Sequence, residues 1–282
     1  MNSKLDYLKA RLQGLLPQHT LSRWAGQLTD AHTPWLKNFL IRQSIKRFNI
    51  DLSDALEENP ENHACFNDFF TRALKPGARP LDDHIKHVIS PADGVLSQAG
   101  KIDDKRIIQA KGRDFSIEAL LGESTQPFKN GMFATIYLSP RDYHRVHMPV
   151  AGTLRETRYI PGKLFSVNAM TAQHVDQLFA KNERLVCWFD TEFGDMALIL
   201  VGAMLVAGIE SVWHGHYAPR AEASESFDTA DSVGPRFDRG EEMGRFKFGS
   251  TVIMLLPPGA YLSDKAQAGQ AITMGSTLAE IR

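Results

Sequence analysis

Cysteine is scarce in this sequence. The 282 residues contain two cysteines, Cys65 and Cys187. Two cysteines do not build a disulfide framework in a chain of this length. That class of protein is excluded, and a reducing compartment is the simpler interpretation.

Long apolar runs are also missing. The longest, residues 196–209, has fourteen residues and includes two glycines, whereas a membrane-spanning helix needs about 20. We interpret this run as a buried strand. No basic segment followed by an apolar one opens the chain, so we expect no signal peptide. The sequence predicts a protein that is soluble or attached to a membrane from one side.

The chain has little net charge. Its formal charge of −1 gives no global nucleic-acid signal. The charge is unevenly distributed, however. Residues 1–50 contain eight Lys and Arg against two Asp, a net charge of +6, which leaves −7 for the rest. A basic end on an acidic body indicates an anionic surface as partner, either a membrane or a nucleic acid.

Leucines recur on one face of a helix predicted over residues 4–16. They form a stripe about 100° wide with basic residues beside it, as in a helix that lies in the plane of a membrane surface. A helix that packs on its own domain is the alternative. The stripe consists of Leu5, Leu8, Leu12, Leu15 and Leu16.

A second apolar and basic stretch runs from Trp35 to Phe48 and includes Phe39. Its apolar positions do not form one clean stripe. This pattern predicts a helix that is buried on two sides, or one that meets lipid and protein together through Trp35 and Phe39. Residues 51–82 are a polar connector in which a short helix begins near Asn67.

The pattern changes to strands after about residue 86. Short apolar runs bounded by turn residues predict strands, with helices at 116–121 and 163–179 and a surface loop over 218–238. The predicted strands are Val95–Ala99, Ile107–Ala110, Met132–Leu138, Thr153–Ile160, Leu185–Phe189, Met196–Val206 and Thr251–Leu256.

The predicted fold class is therefore α+β. Residues 1–82 form a helical, membrane-associating segment and its connector. Residues 83–282 form a β-rich catalytic domain, barrel- or sandwich-like and mainly antiparallel.

One candidate for chemistry is the tripeptide Gly249-Ser250-Thr251, which precedes a predicted strand. A Gly-Ser bond held in a strained turn can break itself when the serine hydroxyl attacks the preceding carbonyl, and the serine can end as a pyruvoyl group. Most such tripeptides are plain turns.

A loop bounded by Ser139 and Pro149 contains His144 and His147 beside arginines and a tyrosine. Two histidines in an ordered loop suit proton transfer near neutral pH. The alternative is a metal site formed with His214 and His216. No carboxylate or cysteine spacing completes such a site, so we predict no metal.

Asp93 lies in the segment Ser-Pro-Ala-Asp-Gly, between two strand-like runs. Locally this segment is typical of a tight turn. An Asp on a rigid turn can also orient a histidine, so Asp93, one histidine of the loop between Ser139 and Pro149, and Ser250 form a possible triad.

Three motifs resemble the bacterial, membrane-associated type of phosphatidylserine decarboxylase. They are Ser-Pro-Ala-Asp-Gly at 90–94, Tyr-Leu-Ser-Pro-Arg-Asp-Tyr-His-Arg-Val-His-Met-Pro at 137–149 and Gly-Arg-Phe-Lys-Phe-Gly-Ser-Thr-Val at 244–252. The resemblance covers nearly the whole chain. One departure is Phe248, because that family usually has leucine before the Gly-Ser pair.

The resemblance implies an enzyme that makes its own cofactor. His147, oriented by Asp93, deprotonates Ser250, which attacks Gly249. The chain splits into residues 1–249 and 250–282, which stay together as a heterodimer, and Ser250 becomes a covalent pyruvoyl group. That group forms a Schiff base with phosphatidylserine, which loses carbon dioxide and becomes phosphatidylethanolamine.

The resemblance also suggests roles for other residues of the histidine loop. His144 is the candidate that returns a proton to the product. Arg141 and Arg145 are candidates for binding the substrate, although either is equally suited to a surface ion pair.

The expected partner is phosphatidylserine in an anionic membrane surface, with no nucleic acid, and the expected location is peripheral, on the cytoplasmic side of the cell membrane. A homodimer of the heterodimers is left open. Two other hypotheses are a serine hydrolase that uses an intact triad of Asp93, His147 and Ser250, and a non-catalytic module that binds anionic lipid.

Overall fold

The structure is a computed structural model. It describes residues 13–14, 17–103, 106–110, 113–122, 126–203, 208–217, 222–227, 233–247 and 249–281. The predicted leucine stripe (Leu5, Leu8, Leu12, Leu15 and Leu16) and Phe248 lie outside the described residues.

The described helices are mostly short. Three lie between residues 18 and 70, and three lie between residues 117 and 181. They are α1 (Gln18–Thr29), α2 (Pro34–Phe48), α3 (Phe66–Phe70), α4 (Ile117–Leu121), α5 (Ala169–His174) and α6 (Leu178–Lys181), with 3-10 turns at Pro60–Asn62 and Gln126–Phe128.

Helix α2 confirms the prediction for residues 35–48. It has a proline in its first turn and ends at Asn49, whose φ of 53° is left-handed, as helix ends often are. Helix α1 was not predicted. It begins directly after Pro17, a residue that local rules allow both after a helix and at a helix start.

The described strands are β1 (His87–Ile89), β2 (Gly94–Lys101), β3 (Arg106–Ala110), β4 (Arg113–Ser116), β5 (Met132–Leu138), β6 (Arg145–His147), β7 (Gly152–Ile160), β8 (Arg184–Thr191), β9 (Gly194–Val201), β10 (Ile209–Ser211), β11 (Gly215–Tyr217), β12 (Ala223–Ser226), β13 (Arg236–Phe237), β14 (Glu242–Phe246), β15 (Ser250–Leu256), β16 (Ala260–Leu262), β17 (Ala271–Ile272) and β18 (Thr277–Ile281). The seven predicted strands correspond to β2, β3, β5, β7, β8, β9 and β15, with ends that differ by up to about five residues, and the eleven further described strands were not predicted.

One large antiparallel sheet organises the described part of the molecule. Its order is β12-β7-β8-β9-β15-β5-β2-β17, and β13 also pairs with β7. Smaller sheets have the orders β11-β10-β14-β6, β1-β18-β16 and β3-β4. These antiparallel sheets, after helices at the N-terminal end, confirm the predicted α+β class.

Both faces of the large sheet are covered. One face packs on the sheets that contain β14 and β18, and the other packs on the β3-β4 hairpin and on α4 to α6. Strand β15 lies in the middle, so its side chains alternate between the two cores: Val252, Met254 and Leu256 face the first, and Ile253 and Leu255 the second. By the same alternation, Ser250 faces the first core.

Two predictions were wrong in detail. Residues 163–179 form two short helices, α5 and part of α6, instead of one. The predicted loop 218–238 contains β12 and β13, which both pair with β7. All of β12 is exposed, so its polar composition resembles that of a loop, and only the pairing with β7 makes it a strand.

The N-terminal helices have a small apolar core of their own. It joins Ile41 of α2 and Ile50 to Phe66, Phe69 and Phe70 of α3. No helix in the described ranges is long and apolar enough to cross a membrane.

Candidate active site

Strand register brings the predicted site residues to one end of the large sheet. Ser250, the first residue of β15, pairs with Leu138, the last residue of β5. On the other side of β5, Val95 pairs with Tyr137. Asp93 precedes Val95 by two residues, so it lies at the same end as Ser250. The histidine loop begins there as well, because it follows β5 directly.

Two backbone features fix the Asp93 turn against that loop. The backbone N–H of His147 donates to the carbonyl oxygen of Pro91 at 2.8 Å. A Cβ on Gly94 would lie 2.3 Å from the carbonyl oxygen of Tyr137. Glycine is therefore required at position 94 for the turn to approach β5 this closely.

His147 is held in one tautomer. Its Nδ1 lies 2.8 Å from the carbonyl oxygen of Gly240, and a carbonyl only accepts, so Nδ1 carries the proton. Its Nε2 then accepts from the hydroxyl of Tyr143 at 3.0 Å. Burial lowers the pKa of His147. The imidazole is thus neutral near pH 7 and its basic nitrogen is already hydrogen-bonded.

The carboxylate of Asp93 pairs with Arg79. The guanidinium of Arg79 approaches the two carboxylate oxygens at 2.7–3.0 Å, and the backbone N–H of Met274 donates to Asp93 at 2.8 Å. Among the described residues, Asp93 makes no hydrogen bond to His147. We expected the Nδ1–H of His147 to donate to Asp93. It donates to the carbonyl oxygen of Gly240 instead, and the carboxylate of Asp93 is held by the guanidinium of Arg79. The place of Asp93 in the self-cleavage set stays a prediction.

His144 is fully buried against the ring of Phe70, whose centroid is 4.1 Å away. Its Nδ1 donates to the carbonyl oxygen of Asp142 at 2.8 Å, so Nε2 has the lone pair. That Nε2 is buried with no partner among the described residues. Burial lowers the pKa of His144 to about 3. His144 is therefore a neutral imidazole with an unused acceptor.

Ser250 is also fully buried, and its Oγ has no hydrogen-bond partner among the residues that the structure describes. An unpaired buried hydroxyl is costly and often marks a functional group. The preceding Gly249 is loosely packed, because a Cβ there would meet nothing closer than the carbonyl oxygen of Leu138 at 3.5 Å.

The two predicted substrate arginines differ. Arg145 donates to Glu242 and to the carbonyl oxygen of Thr71, both at 2.8 Å, so its guanidinium is committed within the protein. The side chain of Arg141 is 62% exposed and lies 3.8 Å from Asp142. Of the two, Arg141 has the more accessible guanidinium, and a substrate role for either arginine stays a prediction.

The metal alternative gains no support. His214 and His216 lie about 4 Å from Glu225 and Glu210 respectively. Within the described ranges, no group of three or more His, Cys, Asp or Glu is arranged to hold a metal ion.

Sequence reasoning missed three groups at this site. Tyr143 was visible in the histidine loop, but nothing in the spacing indicated its bond to His147. Arg79 and Phe70 fall in the segment interpreted as a connector. Their contacts with Asp93 and His144 span 14 and 74 residues, which local patterns do not detect.

Comparison with known proteins identifies the family. A family model described as phosphatidylserine decarboxylase matches residues 66–280. The chain belongs to the phosphatidylserine decarboxylase family. A further family model, described as PSD, matches residues 8–49, so similarity extends into the N-terminal helices.

Curated members of the phosphatidylserine decarboxylase family match along almost their whole length. A phosphatidylserine decarboxylase proenzyme of Bordetella avium is 55% identical and covers 97% of this chain and 95% of its own. Proenzymes with the same name from Hahella chejuensis and Pseudomonas putida are 49% and 51% identical, with at least 95% of each chain covered. The hydrolase and lipid-binding hypotheses receive no such support.

Proposed function

We propose that this protein is a proenzyme that cleaves itself between Gly249 and Ser250 and then decarboxylates phosphatidylserine. The observation that carries the proposal is the Oγ of Ser250, at the first position of the central strand β15, which is fully buried and has no partner among the described residues, in a chain of this family.

His147 is the proposed base for self-cleavage. It is neutral, and the carbonyl of Gly240 holds it in the tautomer whose Nε2 accepts a proton. The hydroxyl of Tyr143 occupies that Nε2. Proton transfer from Ser250 to His147 therefore either displaces this hydroxyl or passes through it.

The surroundings of Ser250 fit a covalent pyruvoyl cofactor derived from it. Its Oγ is buried without a partner among the described residues, and it lies at the end of the sheet where the histidine loop follows β5. A pyruvoyl group supplies an electron sink for the electrons left behind when carbon dioxide departs. His144 is the proposed proton donor to the product. Because it is neutral in this structure, it must take up a proton before it can return one.

We also propose that residues 1–249 and 250–282 remain together after cleavage. Strand β15 is paired along its length with β5 and with β9, and β18, further along the small chain, pairs with β1. These ladders join the two products through main-chain hydrogen bonds that do not depend on the cleaved peptide.

Membrane attachment is proposed through the N-terminal helices. Trp35 and Phe39 are one turn apart on α2 and are 72% and 56% exposed. Helix α1 adds a second exposed stripe of Leu21, Trp24 and Leu28. Exposed aromatic side chains on adjacent helices are typical of proteins that bind at a membrane surface. The family resemblance implies that this surface is the cytoplasmic side of the cell membrane.

The division into residues 1–82 and 83–282 remains a proposal, with a qualification from the contacts. Phe70 and Arg79 precede the boundary and reach His144 and Asp93 beyond it. The connector therefore contributes to the site rather than only linking the two parts.

The test is an intact mass measurement of purified wild-type protein and of the Ser250→Ala variant. Wild-type protein is expected to give two chains, the smaller beginning at residue 250 with the mass change from serine to pyruvoyl. The variant is expected to be folded, uncleaved and inactive. Carbon dioxide release by an unbroken wild-type chain would contradict the proposal, as would normal cleavage of the variant.

A further inference from the structure

Arg72 is a buried cation with unused hydrogen-bond donors. It follows α3, is 6% exposed and stacks over Phe69 at 5.7 Å. Its Nη2 donates to the carbonyl oxygen of Arg141 at 3.3 Å. Its Nη1 is buried and has no partner among the described residues. Most buried arginines use their donors fully, and Arg184 does so here with four backbone carbonyls.

The two carboxylates that act most strongly on Arg72 through charge are committed elsewhere. Asp93 and Asp142 both act on Arg72 through charge, but Asp93 pairs with Arg79. Asp142 accepts from the backbone N–H and hydroxyl of Ser139, both at 2.7 Å. Within the described ranges, Arg72 forms no ion pair. An unpaired buried charge is unfavourable, so this arrangement suggests that an anion from outside the chain completes it.

The guanidinium belongs to the candidate active site. Phe70, two residues earlier in the chain, lies against the ring of His144. Arg72 also interacts through charge with His144 and with Tyr143. The hydroxyl of Tyr143 donates to Nε2 of His147. The free donor is therefore placed among the groups proposed to carry out the chemistry.

We propose that Arg72 binds an anionic group of the substrate headgroup, through the unused edge of its guanidinium that includes Nη1. The inference rests on the proposed function, because it takes the headgroup of phosphatidylserine as the ligand. That headgroup offers a phosphodiester and a carboxylate, and each presents two oxygens that match a guanidinium fork. Phe69 supports the guanidinium plane from one side.

The experiment measures binding, so that it does not depend on decarboxylation. Calorimetry gives the dissociation constants of three soluble probes for uncleaved Ser250→Ala protein, with and without Arg72→Gln. The probes are glycerophosphoserine, glycerophosphoethanolamine, which lacks the carboxylate, and L-serine, which lacks the phosphate. We expect Arg72→Gln to weaken glycerophosphoserine binding by roughly 10- to 100-fold, as for loss of a charge-assisted hydrogen bond.

The other two probes distinguish the sources of the anion. Weaker binding of glycerophosphoethanolamine alone assigns Arg72 to the phosphodiester, and weaker binding of L-serine alone assigns it to the carboxylate. Equal binding of glycerophosphoserine with and without Arg72→Gln overturns the proposal, as does a lack of binding when Arg72 is intact.

Two further variants guard against a folding defect. Arg72→Lys keeps the charge but loses the fork, so we expect a folded protein with binding intermediate between wild type and Arg72→Gln. Arg106→Gln removes an arginine that pairs with Asp114 on the surface and should leave binding unchanged. Carbon dioxide release by processed wild-type protein, measured separately, shows whether the proposed function itself holds.

Discussion

At the scale of single residues, a substitution at Gly249 tests its role in self-cleavage without a large change in packing. The space around it accepts a Cβ at ordinary contact distance, yet its carbonyl is the proposed target of Ser250. A methyl group on the Cα beside this carbonyl would crowd the approach of the Ser250 hydroxyl, so we expect glycine to matter here for the attack and not for packing.

We therefore expect Gly249→Ala to fold normally and to cleave at least about tenfold more slowly, which is about 1.4 kcal/mol in the barrier. The measurement is the rate of appearance of the two chains on denaturing gels, with thermal unfolding as the check on folding. Cleavage at the wild-type rate would show that glycine is not required at this position.

His144 predicts a dependence of stability on pH. The folded pKa is about 3, below the ordinary value of 6.5. As pH falls below 6.5, the unfolded chain takes up a proton that the folded chain refuses. The free energy of unfolding then decreases between pH 6.5 and pH 3, by up to about 1.4 kcal/mol per pH unit for one such group.

In the uncleaved Ser250→Ala background, we expect His144→Gln to reduce this slope between pH 6.5 and pH 4.5, as measured by urea unfolding. Part of the slope should remain, because burial also lowers the pKa of His147. His32→Gln is the matched control, since it removes an exposed imidazole. An unchanged slope in His144→Gln would argue against a neutral, buried His144.

At the scale of structural elements, the connector between α3 and β1 is part of the site. Arg79 ties it to the Asp93 turn, and the carbonyl of Thr71 accepts from Arg145 of β6. The same segment holds Arg72. The connector thus holds both the Asp93 turn and the histidine loop in place.

If Asp93 acts mainly through Arg79, the two residues should behave as a unit. We expect Arg79→Gln and Asp93→Asn each to slow self-cleavage, and the double variant to be little worse than either. The coupling in a double-mutant cycle should fall within about 0.5–3 kcal/mol. Additive effects on the cleavage rate would instead support an independent action of Asp93 on His147.

At the scale of the whole molecule, the exposed aromatic surface lies on the N-terminal helices. Some of the basic side chains that give residues 1–50 their net charge of +6 already bind other groups of the protein. Lys37 donates to the carbonyl oxygen of Glu61 at 2.7 Å, and Arg42 pairs with the carboxylate of Glu61. Apolar contact should therefore contribute much of the membrane affinity, with charge setting the preference for anionic lipid.

We expect Trp35→Ala and Phe39→Ala each to weaken binding to phosphatidylglycerol vesicles by roughly tenfold. Sedimentation with these vesicles, and with phosphatidylcholine vesicles for comparison, measures the effect. Ile85→Ala is the control, because Ile85 is equally exposed, at 70%, but lies outside the N-terminal helices. Equal losses in all three variants would contradict a membrane surface on α2.

The sequence by itself determined the positions of seven strands, most of them in the large sheet, the α+β class and the motifs around Asp93, the histidine loop and Ser250. These features are local, because alternating apolar and polar residues, turn residues and short motifs each involve residues that are close together in the sequence. The tertiary structure alone decided which groups meet. In the folded protein, His147 donates to the carbonyl of Gly240, and the guanidinium of Arg79 pairs with Asp93. Arg72 is buried near them, and its Nη1 has no partner among the described residues. Such pairings depend on packing between segments far apart in the chain, where periodicity carries no information.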